Sequence, residues 1–525
     1  MNSLRKALLS LAAVAGACSM SPAAMAQMTQ AAVQQGQLSG TKEGGVTTFL
    51  GVPFAASPTG ERRWKVPAPA TSWKGVRKAD TLPSSCQQGV TPNGFGPWTH
   101  EYVVTNAVSE DCLYLNVWTP AQRAGEKLPV MVWIHGGGFT GGSASVPIYD
   151  GAKLAEKGIV VIAINYRLGA YGFLAHPELT AESPAHASGN YGLLDQIAAL
   201  QWIKANAAAF GGDPDRVTIA GQSAGAMSVH HLIASPLAKG LFAQAIAQSG
   251  SGTGVNPGDR TAAEKQGLSL MQAAGVASLA DLRKLTPAQL EAAQGKMGQG
   301  AGFAPIVDGL VLPDASFAGA NTNDTPILTG MTSDEMTGLN PNFGKATPAV
   351  IQAQLERSYG QLAPEFARLY PAASDAEANA TAGALARDRG LASMALWAQQ
   401  RQGASRQPVY AYLWTHPEPG PDAARYGAFH SSEIPYVFDT LDASPERPFT
   451  DLDRQLAAQM GDYWVNFVKT GNPNGSGLAA WPAYTPEGRQ IVEIGSGTKA
   501  RAVLPPNRLE AFRRHAQQGG QLGLF

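Results

Sequence analysis

The sequence predicts an α/β fold with a mostly parallel central sheet that is flanked by helices. Near-continuous apolar runs at 129–134 and 159–164 are typical of strands buried on both faces of a parallel sheet. Apolar residues over 193–203 recur at helical spacing instead. Because strand-like and helical patterns alternate along the first half of the chain, we expect strands joined by crossover helices.

Further short apolar runs extend the predicted sheet, and they lie at 217–220, 245–247, 327–328 and 409–413. The predicted helix over 193–203 is followed by Gly211-Gly212-Asp213-Pro214, whose composition indicates a turn. The sheet is therefore expected to continue well into the second half of the chain.

Two segments with helical patterns, 255–325 and 345–405, interrupt the strand-like runs. Within them, Thr286-Pro287 and Thr347-Pro348 each predict an N-cap followed by a proline in the first helical turn. No Ser/Gly-rich or Pro-rich linker separates these segments from the rest of the chain. We therefore expect one domain over 27–525, with helical insertions that could wall a pocket.

Residues 1–26 have the three zones of a secretory signal peptide. Arg5 and Lys6 precede an apolar run over 7–17, and Ala24-Met25-Ala26 provides an A-x-A cleavage site. We exclude this segment from fold reasoning and expect a secreted or periplasmic protein, cleaved near Ala26.

The mature chain is expected to have no integral membrane segment. The apolar run spans 11 residues, whereas a membrane helix needs about 20 residues. Lipidation at Cys18 is an alternative, although Ala15 stands where a bacterial lipidation signal has a large aliphatic residue.

Charge and cysteine content bound the function further. Lys and Arg number 39 against 40 Asp and Glu, and no basic block occurs, so we expect no nucleic-acid partner. Removing the leader leaves Cys86 and Cys112, an even pair that predicts one disulfide in an oxidising compartment; two buried thiols are the alternative.

A candidate nucleophile follows the predicted strand at 217–220. Gly221-Gln222-Ser223-Ala224-Gly225 has the G-x-S-x-G pattern of a sharp strand-to-helix turn that exposes the serine hydroxyl. A serine needs a base to remove its proton and donors to stabilise the developing oxyanion. The glycine run 136–138, after the strand at 129–134, is a candidate oxyanion loop because glycines let backbone N–H groups approach a ligand.

Hydrolases with this turn carry the acid and then the histidine after the serine, which limits the choice of base. His230 and His231 follow the serine too closely on the same helix. His515 lies in a polar C-terminal stretch and is expected on a solvated face, and His416 is expected in a loop. His430 is the preferred candidate, and His416 stays the alternative at this point.

The acid should follow a strand between the serine and the histidine, because catalytic residues gather at the carboxyl ends of parallel strands. The run at 327–328 leads to Asp334 and Glu335. Spacing alone does not choose between these adjacent carboxylates.

Two long motifs in this order resemble the type-B carboxylesterase family, which includes cholinesterases and fungal lipases. The first is Glu-Asp-Cys-Leu-Tyr-Leu-Asn-Val-Trp at 110–118, and the second is the segment 210–225 around the candidate nucleophile. The resemblance covers nearly the whole mature chain. It implies the α/β-hydrolase fold and a serine carboxylesterase that works through an acyl-enzyme intermediate.

The resemblance also implies roles for individual residues. Glu335 would be the triad acid and His430 the base, while the N–H groups of Gly137, Gly138 and Ala224 would bind the oxyanion. It likewise implies the Cys86–Cys112 bridge, the structural ion pairs Arg63–Glu110 and Arg167–Asp195, and supports near the triad at Ser249 and Glu433.

Gln222 departs from the family pattern, since many relatives have Glu immediately before the nucleophile. The missing charge weakens the argument for a cationic choline ester as substrate. Phe95, Trp98 and Tyr102 lie between the two cysteines and could either line a pocket mouth or brace the loop at the surface.

The predicted function is hydrolysis of a small-molecule carboxylic ester. An amidase, lactonase or polymer-ester hydrolase using the same site is an alternative, and a non-catalytic binding or adhesion homologue is another. No metal-binding or phosphate-binding motif occurs, so no metal and no cofactor are expected. The sequence carries no signal for an oligomeric state.

Overall fold

The computed structural model describes residues 28–253, 257–298, 302–314 and 323–523. The predicted leader, 1–26 with Cys18, lies outside the described residues. The strands are β1 (Gln30–Val33), β2 (Gly36–Ser39), β3 (Thr41–Glu43), β4 (Val46–Pro53), β5 (Val76–Lys78), β6 (Ser85–Cys86), β7 (Val108–Ser109), β8 (Tyr114–Thr119), β9 (Leu128–Ile134), β10 (Val160–Ile164), β11 (Gly212–Gln222), β12 (Gln244–Gln248), β13 (Ile327–Thr332), β14 (Val409–Trp414), β15 (Gln490–Ile494) and β16 (Thr498–Ala502).

The α-helices alternate with these strands and form the two insertions. They are α1 (Ala152–Glu156), α2 (Gly169–Phe173), α3 (Pro177–Glu182), α4 (Tyr191–Asn206), α5 (Ala224–Ala234), α6 (Arg260–Ala274), α7 (Leu279–Lys284), α8 (Pro287–Lys296), α9 (Met336–Leu339), α10 (Pro348–Tyr359), α11 (Ala363–Leu369), α12 (Asp375–Gln402), α13 (Ala423–Tyr426), α14 (Ile434–Phe438), α15 (Asp451–Thr470) and α16 (Pro506–Gln517).

A sheet of 11 strands forms the centre of the structure, in the order β16-β15-β14-β13-β12-β11-β9-β10-β8-β4-β3. All neighbours from β15 to β10 are parallel, whereas β8, β4 and β3 at one edge and β16 at the other pair antiparallel. The structure thus confirms the mostly parallel sheet and places a strand at every predicted run.

The central strands are buried on both faces, which is why their sequences are almost wholly apolar. Every residue of β10, β13 and β14 is buried. Successive side chains of β9 enter different cores, with Met131 in one hydrophobic cluster and Val132 in the other. The sheet therefore carries a helix-covered core on each side.

The turn predicted at 211–214 is shorter in the structure. Only Gly211 adopts the left-handed conformation, with φ of 78°, and β11 already begins at Gly212. The reason is a pairing of Gly212 with Leu128 ahead of an irregularity in register that precedes Val217. The prediction of a turn across all four residues was therefore wrong for the last three.

The helical insertions follow the predicted start signals. The Thr286 side chain accepts a hydrogen bond from the Gln289 N–H in a capping box, and the Thr347 side chain accepts one from Val350 N–H. In both helices proline lies in the first turn, where its missing N–H costs no hydrogen bond. Among the described residues, no helix combines the length and the apolar character that crossing a membrane requires.

The structure corrects the expectation for His515. This residue is 9% exposed, and its ring packs edge-on against Tyr359 with 4.9 Å between ring centroids. His515 follows Phe512 by three positions on α16, so both side chains lie on the buried face of the helix. Burial accordingly lowers the pKa of His515.

Candidate active site

Ser223 lies at a sharp turn between β11 and α5. Its φ of 57° and ψ of −124° are strained for a residue with a side chain. The Ser223 N–H donates to Gln248 O at 2.9 Å, and Ser223 O accepts from Met227 N–H at 2.9 Å, so both sides of the turn are fixed. The half-buried side chain lines a large cavity.

Glycines at 221 and 225 let this turn pack against the end of β9. A Cβ on Gly225 would lie 2.0 Å from Ile134 O, and a Cβ on Gly221 would lie 2.5 Å from the carbonyl of Gly225. Neither distance is compatible with a side chain. The pattern that singled out Ser223 therefore has a direct packing cause.

The glycine loop after β9 lies beside the same turn. A Cβ on Gly136 would come within 2.7 Å of Gln222 O, and one on Gly137 within 2.2 Å of Gly141 O. Gly137 and Gly138 have φ of 108° and 62°. Both line the cavity together with Ala224, the residue after the serine, so the three predicted oxyanion residues are brought together with Ser223.

His430 and Glu335 form a buried hydrogen-bonded pair. The Glu335 carboxylate contacts Nδ1 of His430 through Oε2, while its Oε1 accepts from Ser249 Oγ at 2.6 Å and from Thr332 N–H at 2.8 Å. His430 is 5% exposed and Glu335 is 3% exposed. A carboxylate fixed at both oxygens holds the imidazole plane and favours the tautomer with its proton on Nδ1.

Asp334, the other candidate acid, points elsewhere. Its Oδ2 accepts from Ser333 Oγ at 2.7 Å and from Ala428 N–H at 3.0 Å. A Cβ on Gly427 would lie 2.6 Å from the same oxygen. Asp334 therefore braces the backbone that leads to His430 and does not face the imidazole.

Gln222 contacts the imidazole as well as preceding the serine. Its Nε2 lies 3.1 Å from Nε2 of His430 and 3.5 Å from Nδ1. The Gln222 amide nitrogen therefore lies close to both ring nitrogens of the imidazole. The sequence identified Gln222 as a departure from the family, but nothing in the local pattern indicated this contact.

A second buried carboxyl group lies behind the pair. Glu433 accepts from Gln248 Nε2 at 3.1 Å, and burial, with a smaller contribution from the negative charge of Glu335, raises its pKa to about 7. Ser249, which also supports Glu335, has a φ of 52°. Both residues that the resemblance placed near the triad are therefore in contact with its surroundings.

The other predicted framework contacts are present. Cys86 and Cys112 form a disulfide, as predicted. The buried Arg63 donates through Nε to Glu110 at 2.7 Å, and the buried Arg167 donates to both oxygens of Asp195 at 2.7 and 2.8 Å. The first pair joins two loops and the second joins a loop to α4, and none of the four residues lines the cavity.

The cavity that contains Ser223 and His430 has a volume of about 1200 Å³. One side is formed by aromatic residues of the loop closed by the disulfide, namely Phe95, Trp98 and Tyr102. Another part of the lining is formed by the start of α6 and by residues 302–306. Among its described lining residues the one carboxylate is Asp259, and none is Lys or Arg. The cavity therefore suits an uncharged, largely apolar ligand.

The aromatic residues resolve the two alternatives left by the sequence. Trp98 and Tyr102 are buried and line the cavity, and Phe95 lines it while remaining 58% exposed. Other lining residues, including Phe139, Tyr149, Phe173, Met227, Phe303 and Ile306, were not predicted. They converge from distant segments, and no local pattern marks them.

One group of described residues brings three potential metal ligands together. Atoms of His100, Glu101 and Glu446 lie within 4.8 Å of one another. None of the three lines the cavity. Glu101 is also paired with Arg447 at 2.8 Å, so its carboxylate has a partner without a metal.

Comparison with known proteins gives a consistent result. A family model described as "Carboxylesterase family" matches residues 27–512. The chain is 38% identical to a fumonisin B1 esterase of Sphingopyxis macrogoltabida, over 88% of the chain and 86% of that protein. It is 36% identical to a para-nitrobenzyl esterase of Bacillus subtilis (strain 168), over 88% of the chain and 94% of that protein.

Solved structures give the same picture. A carboxylesterase of Geobacillus stearothermophilus aligns with a TM-score of 0.79 and 34% identity, covering 92% of this chain and 100% of the other. A PNB esterase aligns with a TM-score of 0.78 and 33% identity, covering 92% and 99%.

Proposed function

Since this chain belongs to the carboxylesterase family and is a carboxylic ester hydrolase, we propose that Ser223, His430 and Glu335 form its catalytic triad. His430 accepts the Ser223 proton as the hydroxyl oxygen attacks the ester carbonyl carbon, and Glu335 stabilises the imidazolium that forms. The tetrahedral intermediate places its oxyanion on the N–H groups of Gly137, Gly138 and Ala224.

The intermediate collapses when His430 returns the proton to the leaving alcohol, which leaves Ser223 acylated. Water then attacks the acyl-enzyme with His430 again as the base, and the acid is released. Apart from substrate and water, these steps use only the side chains and backbone of this site.

The observation that carries this proposal is the convergence of three features in one cavity. Ser223 is held on strained backbone, the Nδ1 of His430 is held by Glu335, and the glycine loop packs against the serine turn. All arise at or after the carboxyl ends of parallel strands, where α/β enzymes place their reactive groups.

Ser223→Ala is the direct test. We expect it to abolish hydrolysis of p-nitrophenyl esters and covalent labelling by a fluorophosphonate, because the reacting oxygen is gone. Ser228→Ala is a matched control, since Ser228 is a buried serine on α5 that hydrogen-bonds Gln196 and does not line the cavity. Turnover or labelling retained in Ser223→Ala would refute the assignment.

We further propose that the substrates are small-molecule esters with a bulky, uncharged group on at least one side of the carbonyl. The cavity of about 1200 Å³ exceeds the roughly 300–1,000 Å³ of ordinary ligand pockets, and its lining is largely apolar. A panel of p-nitrophenyl esters of increasing acyl size tests this, with the corresponding amides included. A steady fall in kcat/KM from acetate to larger acyl groups would contradict the proposal.

We also propose that residues 27–525 form one catalytic domain that is exported after cleavage near Ala26. The family match over 27–512 and the Cys86–Cys112 bridge support this, because disulfides persist in oxidising compartments. The mass of the mature N-terminal peptide, measured on protein from the periplasm and medium, is the test. An uncleaved N-terminus in the cytosol would refute export.

A further inference from the structure

We propose that Trp98 is a positioning residue that fixes the backbone of His430 relative to α9, the helix that follows Glu335. The inference rests on the proposed function of these two residues and adds a third residue to the machinery. Trp98 lies in the loop closed by Cys86–Cys112, far from either residue in sequence.

The first contact joins Trp98 to His430. The indole Nε1–H donates to His430 O at 3.0 Å, in a buried hydrogen bond between residues 332 positions apart. The indole also packs edge-on against Phe429, with 6.1 Å between ring centroids and an interplanar angle of 88°. Glu335 fixes the imidazole ring, whereas Trp98 fixes the peptide unit from which that ring projects.

The second contact joins Trp98 to the segment that carries the acid. Helix α9 begins at Met336, directly after Glu335, and Gly338 faces the loop. A Cβ on Gly338 would lie 2.8 Å from Cη2 of Trp98 and 2.7 Å from Cγ of Pro97. The indole is therefore in close contact both with α9, which follows Glu335, and with the backbone of His430.

Trp98 can transmit a fixed position because it is itself held firmly. The backbones of Phe95 and Trp98 exchange two hydrogen bonds, at 2.8 and 3.1 Å. Next along the loop, Arg447 donates to Thr99 Oγ1 at 2.7 Å and to Glu101 Oε1 at 2.8 Å. The loop is thus anchored by a disulfide on one side and by buried ionic contacts on the other.

Trp98→Phe removes the N–H donor and keeps an aromatic ring. With p-nitrophenyl acetate, whose acyl group is too small to depend on the cavity wall, we expect kcat to fall about tenfold while KM changes less than about twofold, since lost alignment lowers reactivity at an intact binding site. The acylation rate with a small fluorophosphonate should fall by a similar factor.

Trp64→Phe is the matched control. Trp64 is a buried tryptophan whose indole N–H also donates to a backbone carbonyl, that of Ala170 at 2.8 Å, and it does not line the cavity. We expect its kcat with the acetate ester to stay within about twofold of wild type. Equal losses in the two variants would mean a general effect of replacing a buried indole and would overturn the proposal, as would an unchanged kcat in Trp98→Phe.

Gly338→Ala decides the matter if Trp98→Phe does not fold. The added methyl group pushes α9 and the indole apart without changing the side chain of Trp98 or Glu335. We therefore expect kcat to fall with little change in KM. Gly383→Ala is its control, because Gly383 is on α12 and the nearest atom of another segment to a Cβ there would be Phe343 Cζ, at 4.0 Å. An unchanged kcat in a folded Gly338→Ala would overturn the proposal. Ser223→Ala should be inactive whether or not Trp98 positions His430. Activity retained in Ser223→Ala would therefore indicate failure of the proposed function, not of the proposal for Trp98.

Discussion

Gly225→Ala tests how tightly the serine turn and the oxyanion loop depend on each other. The added Cβ would lie 2.0 Å from Ile134 O and 2.9 Å from His135 O, whereas real Cβ atoms keep at least 3.0 Å. The turn must therefore move by 3.0 − 2.0 = 1.0 Å or more relative to the end of β9. Both obstacles are backbone oxygens, so no rotamer change can relieve the clash.

The movement has a kinetic and a thermodynamic cost. A misplacement of about 1 Å in a catalytic group costs roughly 10²-fold in rate. Overpacking of a well-packed interior costs about 1–3 kcal/mol. We therefore expect Gly225→Ala to lower kcat/KM about a hundredfold and the free energy of unfolding by about 1–3 kcal/mol.

Initial rates with a p-nitrophenyl ester and urea unfolding monitored by tryptophan fluorescence measure the two effects. Gly295→Ala is the control, because Gly295 lies within α8 and a Cβ there meets no atom within 4 Å. It should leave kcat/KM unchanged and stabilise the protein by about 0.5–1 kcal/mol. If Gly225→Ala keeps kcat/KM within about threefold of wild type, the packing argument is wrong.

Three further predictions follow from other parts of the structure. Gly137→Ala should lower kcat by about 10²–10³ and Gly138→Ala by less, because a Cβ would lie 2.2 Å from a backbone oxygen at the first position and 3.8 Å from its nearest neighbour at the second; equal rates would contradict this. Replacing both Cys86 and Cys112 by Ala should lower the free energy of unfolding by about 3.5 kcal/mol, from closure of a loop with a separation of 26 residues, and an unchanged urea midpoint would count against it. Burial lowers the pKa of His230 to about 3, so its contribution to stability is fully present above pH ~6.5 and is lost as pH falls from there toward 3. The difference in unfolding free energy between wild type and His230→Asn should therefore shrink by about 2 kcal/mol from pH 7 to pH 5, and a constant difference would refute it.

The parallel centre of the sheet could be predicted because its strands are buried on both faces. That environment selects the continuous apolar runs that stand out in β9 and β10. The antiparallel edges could not be predicted in the same way. All three residues of β3 are exposed, and β16 is mostly exposed with two basic residues, so pairing with a neighbour is what makes each a strand.

The site also contains features that local sequence predicts and features that depend on long-range contacts. The turn at Ser223 and the glycine loop are short-range features, because the residues that permit them are adjacent in sequence. The acid is a long-range choice between Asp334 and Glu335, and neighbouring side chains give no hint of which one meets a histidine 95 positions away. The contacts of Gln222 and Trp98 with His430 likewise exist only after the chain has folded.

The prediction for His515 was wrong because the residues around it in sequence are polar. His515 is surrounded in sequence by Arg513, Arg514 and two glutamines, which suggested a solvated face. On α16 those neighbours point in other directions, and the histidine follows the apolar stripe of Leu509 and Phe512. Composition over a window hides a single buried position that periodicity would have found.

Two parts of the cavity lining differ in whether they contact the proposed catalytic residues. The part of the lining that belongs to the disulfide loop is hydrogen-bonded to His430, whereas α6 and residues 302–306 contribute to the lining from an insertion outside the sheet. Randomising positions such as Ala262, Gln266 or Phe303 should therefore yield enzymes with new ester preferences at near-native turnover. Randomising the aromatic loop should change ester selectivity only with a loss of kcat. Engineering of ester selectivity should therefore begin at α6 and residues 302–306.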